Sequence, residues 1–140
     1  MATIEPVFLF SVEAQIGSIH SLADGPQGPR MIVPAAAGEV SGPSLNGKIV
    51  PGAGVEWATL RADGSIKADV RLVLETDDGA TVLMVYQGIA LPDGDSLKVT
   101  IAPLFETDDA RYAWLNNVQA IGLGVPTEKG INYDIYQMNW

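Results

Sequence analysis

Glycine and proline interrupt this chain about every ten residues, and the runs between them are β-branched or alternate apolar with polar side chains. No stretch sustains helical periodicity, so antiparallel strands joined by short turns are the element this chain can repeat. Candidate strands are Val7–Ala14, Met31–Ala36, Gly38–Ser41, Leu45–Pro51, Val55–Arg61, Ser65–Glu75, Ala80–Ile89, Leu97–Phe105, Arg111–Leu123 and Ile131–Met138. The best helix candidate is short and lies within Asp108 to Asn117.

Turn chemistry supports this reading. Ala62-Asp63-Gly64 and Asp77-Asp78-Gly79 are Asp-Gly hairpin connections in which Gly supplies a positive φ, and Pro92-Asp93-Gly94-Asp95 is a longer turn of the same kind. Alternation is cleanest in Ile66, Ala68, Val70, Leu72 and Leu74, with Lys67, Asp69, Arg71, Val73 and Glu75 on the opposite face. Between Ala80 and Ile89 both faces are largely apolar, which predicts a strand covered on both sides, by a loop or by an oligomer interface. The long connection from Ile16 to Pro29 reads either as a solvated loop or as a functional lid.

At 140 residues the chain fits one domain, residues 1–140, and buries roughly two-thirds of its unfolded surface. Seventeen acids against eight bases give a net charge of −9, which argues against nucleic acid or an anionic membrane as partner. The absence of Cys removes disulfides, thiolate metal sites and thiol nucleophiles, and a lone His20 leaves a Ser-His-Asp triad only one base. The first basic residue is Arg30, so the charged start of a secretory signal is missing and a cytoplasmic location is expected. The paired acids at Asp77-Asp78 and Asp108-Asp109 lack the liganding pattern of a calcium loop and suit turns, so no metal is expected. Gly122-Leu123-Gly124 has no helix after it to cradle phosphate, and no nucleotide or flavin fingerprint is present, so no cofactor is expected.

Two constellations carry chemistry. Asp69 and Arg71 project from one face of a strand. Facing outward they are an ordinary exposed pair, which the uniformly apolar opposite face favours. Facing inward they are a desolvated acid and guanidinium able to position an oxygenated substrate. The second constellation is aromatic: Trp57, Tyr86, Tyr112 and Trp114 lie in or beside strands, and Tyr133, Tyr136 and Trp140 close the chain. Such side chains suit ligand walls and ordinary cores alike.

Several segments together are distinctive: Gly28-Pro29-Arg30-Met31-Ile32-Val33-Pro34, Gly42-Pro43-Ser44-Leu45-Asn46-Gly47, Val50-Pro51-Gly52-Ala53-Gly54-Val55-Glu56-Trp57, Ala68-Asp69-Val70-Arg71 with Glu75-Thr76-Asp77-Asp78-Gly79, and Phe105-Glu106-Thr107 with Tyr112-Ala113-Trp114-Leu115-Asn116. This pattern resembles the DUF3237 (UPF0311) family over nearly the whole chain. The resemblance implies an all-β fold, a compact antiparallel β-barrel similar to calycin and allene-oxide-cyclase barrels, and a homo-oligomer. Glu56, Trp57, Asp69, Arg71, Tyr112, Trp114 and Asn116 match family positions, although Glu56 stands where the family has Asp and Leu72 where it often has an aromatic.

The expected architecture is therefore one barrel of about eight to ten strands, small enough to hold one small ligand. The expected function is a cofactor-independent acid/base enzyme of secondary metabolism: an isomerase, dehydratase/lyase or cyclase acting on a small apolar oxygenated molecule. Asp69, Arg71 and Glu56 are its candidate catalytic groups, with Trp57, Tyr86, Tyr112, Trp114 and Asn116 binding substrate. The alternatives are a non-catalytic carrier of a small hydrophobic ligand and a structural protein with a solid core.

Overall fold

The structure, a computed structural model, describes residues 1–140. In chain order the strands are β1 (Glu5–Ile16), β2 (His20–Leu22), β3 (Arg30–Ser41), β4 (Gly47–Ile49), β5 (Val55–Leu60) and β6 (Ile66–Thr76). They continue as β7 (Thr81–Asp93), β8 (Ser96–Ile101), β9 (Leu104–Glu106), β10 (Ala120–Pro126) and β11 (Gly130–Asn139), with one 3₁₀ helix, Ala110–Asn117, between β9 and β10. Neighbours run β6-β5-β3-β1-β11-β10-β8-β7, and β7 pairs back onto β6 to close the ring. All pairings are antiparallel, and the closing β6–β7 pair runs from Ile66 opposite Ala90 to Glu75 opposite Thr81. Closure removes the free edges that an open sheet leaves as sites of unwanted pairing.

The predicted turns form as expected, with positive φ at Gly64, Gly79 and Gly94. Several boundaries differ; Leu45–Pro51, for one, shortens to Gly47–Ile49. Met31–Ala36 and Gly38–Ser41 fuse into β3, because the break falls at a register shift between Gln15 and Ile16 of β1 that absorbs an extra residue rather than ending the strand. Leu97–Phe105 divides into β8 and β9 at Ala102-Pro103, Pro103 having no N–H to continue a ladder. The strand expected from Arg111 to Leu123 begins only at Ala120, and the helical reading holds before it. There Asp109 caps the 3₁₀ helix by accepting from the Arg111 N–H. The segment from Ile16 to Pro29 is not wholly a loop, since β2 within it pairs with the start of β3.

Alternation decides what lies inside. On β6, Ala68, Val70, Leu72 and Leu74 are buried, and on β7 so are Val82, Met84 and Tyr86. One end of the barrel is packed solid: Phe10, Leu45, Leu74, Val82 and Leu115 are fully buried, and the Phe10 and Phe105 rings meet edge-on at 5.9 Å. The 3₁₀ helix caps this end. Asn116 donates to the Thr107 carbonyl and accepts from the Thr107 N–H, while Tyr112 donates to the Asp78 carboxylate at 2.8 Å. Arg111 donates to Asp109 and holds its carboxyl down at about 2. The paired acids thus serve turns and a cap. No helix is long and apolar enough to cross a membrane.

Truncating Phe10 removes the central ring of the packed end. Phe10→Ala is expected to lower unfolding free energy by about 3–5 kcal/mol, read from the midpoint of a urea titration at unchanged slope.

Candidate functional site

The other end of the barrel is open. Where β1, β5 and β8 finish or begin, an apolar cavity of about 210 Å³ reaches inward between Met31, Ala58, Ile66, Ala68, Leu97 and Val99. A recess of about 40 Å³ lies beside it, toward Ala35, Val70, Leu72 and Tyr86. The two compartments share Glu56 and Tyr133 on their walls. The larger one exceeds the roughly 150 Å³ that suffices for benzene in an engineered apolar cavity.

Register places the polar groups. On β5 the two-residue period turns Glu56 and Ala58 inward and Trp57 outward. Glu56 lies between Val33 of β3 and Val70 of β6, and Val70 in turn opposes Tyr86 of β7. Glu56 and Tyr86 therefore flank Val70 on one interior rung. Tyr133 of β11 comes from across the barrel, its ring 5.6 Å from that of Tyr86 at 67°. Gly124 is its neighbour on β10, and a Cβ there would sit 2.5 Å from the Tyr133 ring. Glycine is what lets the ring lie flush against β10.

Glu56 is the only charged side chain among the cavity's lining residues, and no hydrogen bond or ion pair in the chain engages its carboxylate. Burial raises its pKa above the ordinary carboxylate value, because the charged form loses water without gaining a partner. Burial likewise pushes the Tyr86 phenol well up, with the Tyr133 and Glu56 charges adding to the effect. Tyr133 rises for the same leading reason, with Glu56 next. The site thus holds one carboxyl biased toward its acid form beside two phenols that stay neutral, a combination suited to giving and recovering a proton.

The structure separates the residues singled out from sequence. Glu56 and Tyr86 reach the cavity. Asp69 and Arg71 do not: they lie on the outer face of β6, because Ala68, Val70 and Leu72 occupy its inner face. The inward geometry that a catalytic role for this pair requires is not the one they adopt. Trp57 is on the outer face of β5, 48% exposed. Tyr112, Trp114 and Asn116 lie in the 3₁₀ helix at the packed end, away from the cavity. Tyr133 is a site residue that the sequence alone does not distinguish from the other aromatics near the C-terminus. Its signal was the alternation Ile131, Tyr133, Ile135, which turns all three inward together.

Comparison with known proteins gives a family match over residues 3–138, to the family described as "Protein of unknown function (DUF3237)". A UPF0311 protein of Rhodopseudomonas palustris (strain TIE-1) is 28% identical, the match covering 97% of each chain. The hydroalkoxylation enzyme phnH of Penicillium herquei is 32% identical over 82% of this chain and 70% of its own. Among solved structures, a β-barrel-like protein from Acinetobacter baumannii AYE superposes with a TM-score of 0.91 at 26% identity, covering 99% of this chain and 98% of that one.

An elevated Glu56 pKa has a thermodynamic consequence. The folded chain holds a proton that the unfolded chain releases, so stability falls as pH rises from the unfolded carboxylate range through the folded pKa. Glu56→Gln carries no charge to bury. It is expected to melt above the wild type at about pH 8, with the difference closing below about pH 4, where Glu56 is protonated in both states. Scanning calorimetry across that range checks this, and a gap that ignores pH would contradict it.

Proposed function

Because the chain belongs to the DUF3237 family and is similar to a protein named a hydroalkoxylation enzyme, we propose that it is a cofactor-independent acid/base enzyme that closes a ring by adding a hydroxyl across an alkene of the same small molecule. The observation that carries this reading is Glu56, a lone carboxyl raised toward its acid form inside an otherwise apolar cavity. A substrate for such a site is uncharged, since the lining offers no cation to hold a carboxylate or phosphate.

The reaction balances without an added reagent. The Glu56 carboxyl gives its proton to the less substituted alkene carbon, leaving positive charge on the more substituted one. The substrate hydroxyl oxygen bonds to that carbon, and the hydroxyl proton passes to the Glu56 carboxylate, restoring the acid. Substrate and product have the same composition, so the step is an isomerisation. The electron-rich faces of Tyr86 and Tyr133 suit the transient positive charge, and apolar walls keep water from capturing it.

The carrier alternative uses the same cavity but has no need of an ionisable group in it. Glu56→Gln separates the two readings. With 2-(3-methylbut-2-enyl)phenol as probe, the wild type is expected to form a cyclic ether of equal mass, and the variant to lose about a hundred-fold or more in kcat while still binding the probe. Wild-type turnover is expected to decline as pH rises through the elevated Glu56 pKa, because the reactive form is the protonated one. Equal turnover by wild type and variant would remove Glu56 from the chemistry.

A further inference from the structure

Asp69, Arg71 and Trp57 have no part in the cavity, yet they stand together on the outer wall of β5 and β6. Beside them on β7 and β9 lie Leu83, Val85 and Leu104, exposed to 38%, 36% and 55%. No loop covers this wall, so the chain itself does not supply the second apolar layer that the two-faced sequence of β7 calls for. The outer face of a solvated antiparallel strand is normally polar.

Charge on this wall is also close to balance. Outward side chains of β6 are Lys67, Asp69, Arg71, Val73 and Glu75, two bases and two acids that cancel, while the whole chain carries −9. Outward positions of β7 from Thr81 to Leu91 are all uncharged, and β9 adds one acid, Glu106, beside Leu83. The wall as a whole carries one excess acid, so little of the chain's −9 charge opposes its meeting a second copy. Asp69 and Arg71 are free to bond elsewhere: the ion pairs within the chain are Lys48–Glu75, Arg111–Asp78 and Arg111–Asp109.

Their order along the strand selects a geometry. An acid and a base two residues apart read as base then acid in the reverse direction. A two-fold axis lying between two facing walls, crossing the strands at the level of Val70, sets Asp69 against Arg71 of the partner subunit and Arg71 against Asp69 of the partner subunit. An axis running along the strands would instead set like charge against like. We propose that the outer wall of β5, β6, β7 and β9 is the isologous interface of a homodimer built on these two reciprocal ion pairs, with Trp57 and Val85 buried on either side of them.

Sedimentation velocity and light scattering on the full chain test this between about 1 and 100 μM. The wild type is expected at twice its 14.8 kDa mass. Arg71→Glu places acids at both positions of the reciprocal pairs, and Asp69→Arg places bases there; each is expected to weaken dimerisation at least about tenfold. Combining Asp69→Arg with Arg71→Glu restores opposite charges across the axis and is expected to return dimerisation to within about threefold of wild type. Both substitutions are on the surface, and circular dichroism with a melting curve confirms that each of the three variants is folded. A monomeric wild type at about 100 μM, single variants that dimerise normally, or a double variant that stays monomeric each overturn the proposal.

Discussion

Closure of the sheet at the β6–β7 pair is the constraint on which the rest depends. Once ten consecutive residues of β6 are locked opposite β7, every side chain on both strands is assigned to the interior or the exterior with no intermediate choice. Propagated around eight strands, that assignment puts Glu56, Tyr86 and Tyr133 in one enclosed space and Asp69, Arg71 and Trp57 in another environment altogether. The site and the outer wall are consequences of one register. A slip of one residue would exchange them.

The two ends of the barrel differ for a reason of volume. Toward the 3₁₀ helix the inward positions carry Phe10, Leu74, Met84 and Phe105, which fill the ring. Toward the mouth they carry Ala58, Ala68 and Ala90, which do not. A closed eight-stranded ring has a nearly fixed width, so small side chains at one level leave space that larger ones at another consume. The cavity is written in the placement of alanines as much as in that of polar groups.

Much of this was legible in the sequence. Gly and Asp-Gly turns mark the hairpins, and the alternation of Ile66 to Leu74 by itself identifies an inner face. The same alternation, read strictly, also favoured the outward placement that Asp69 and Arg71 adopt, and it turns Glu56 inward with Ala58 while sending Trp57 out. What local pattern did not reveal was which inner positions meet across the barrel. Tyr133 and Glu56 are 77 positions apart by their numbers, and only ring closure brings them to one cavity. The segment from Ala110 to Asn117 was ambiguous because its aromatic residues suit a strand, while the Asp109 cap and the Asn116 clamp on Thr107 favour a helical turn.

The packed end makes the chamber a cul-de-sac. A guest enters and departs through one doorway, leading with the end that arrives at Tyr86 and trailing the remainder past Ile19 and Pro126. In the reaction proposed above, reactant and product would share the same passage, and accumulated product would compete directly with the next arrival. Bulk appended to the leading end is excluded by the surrounding wall, whereas bulk on the trailing end simply projects into solvent.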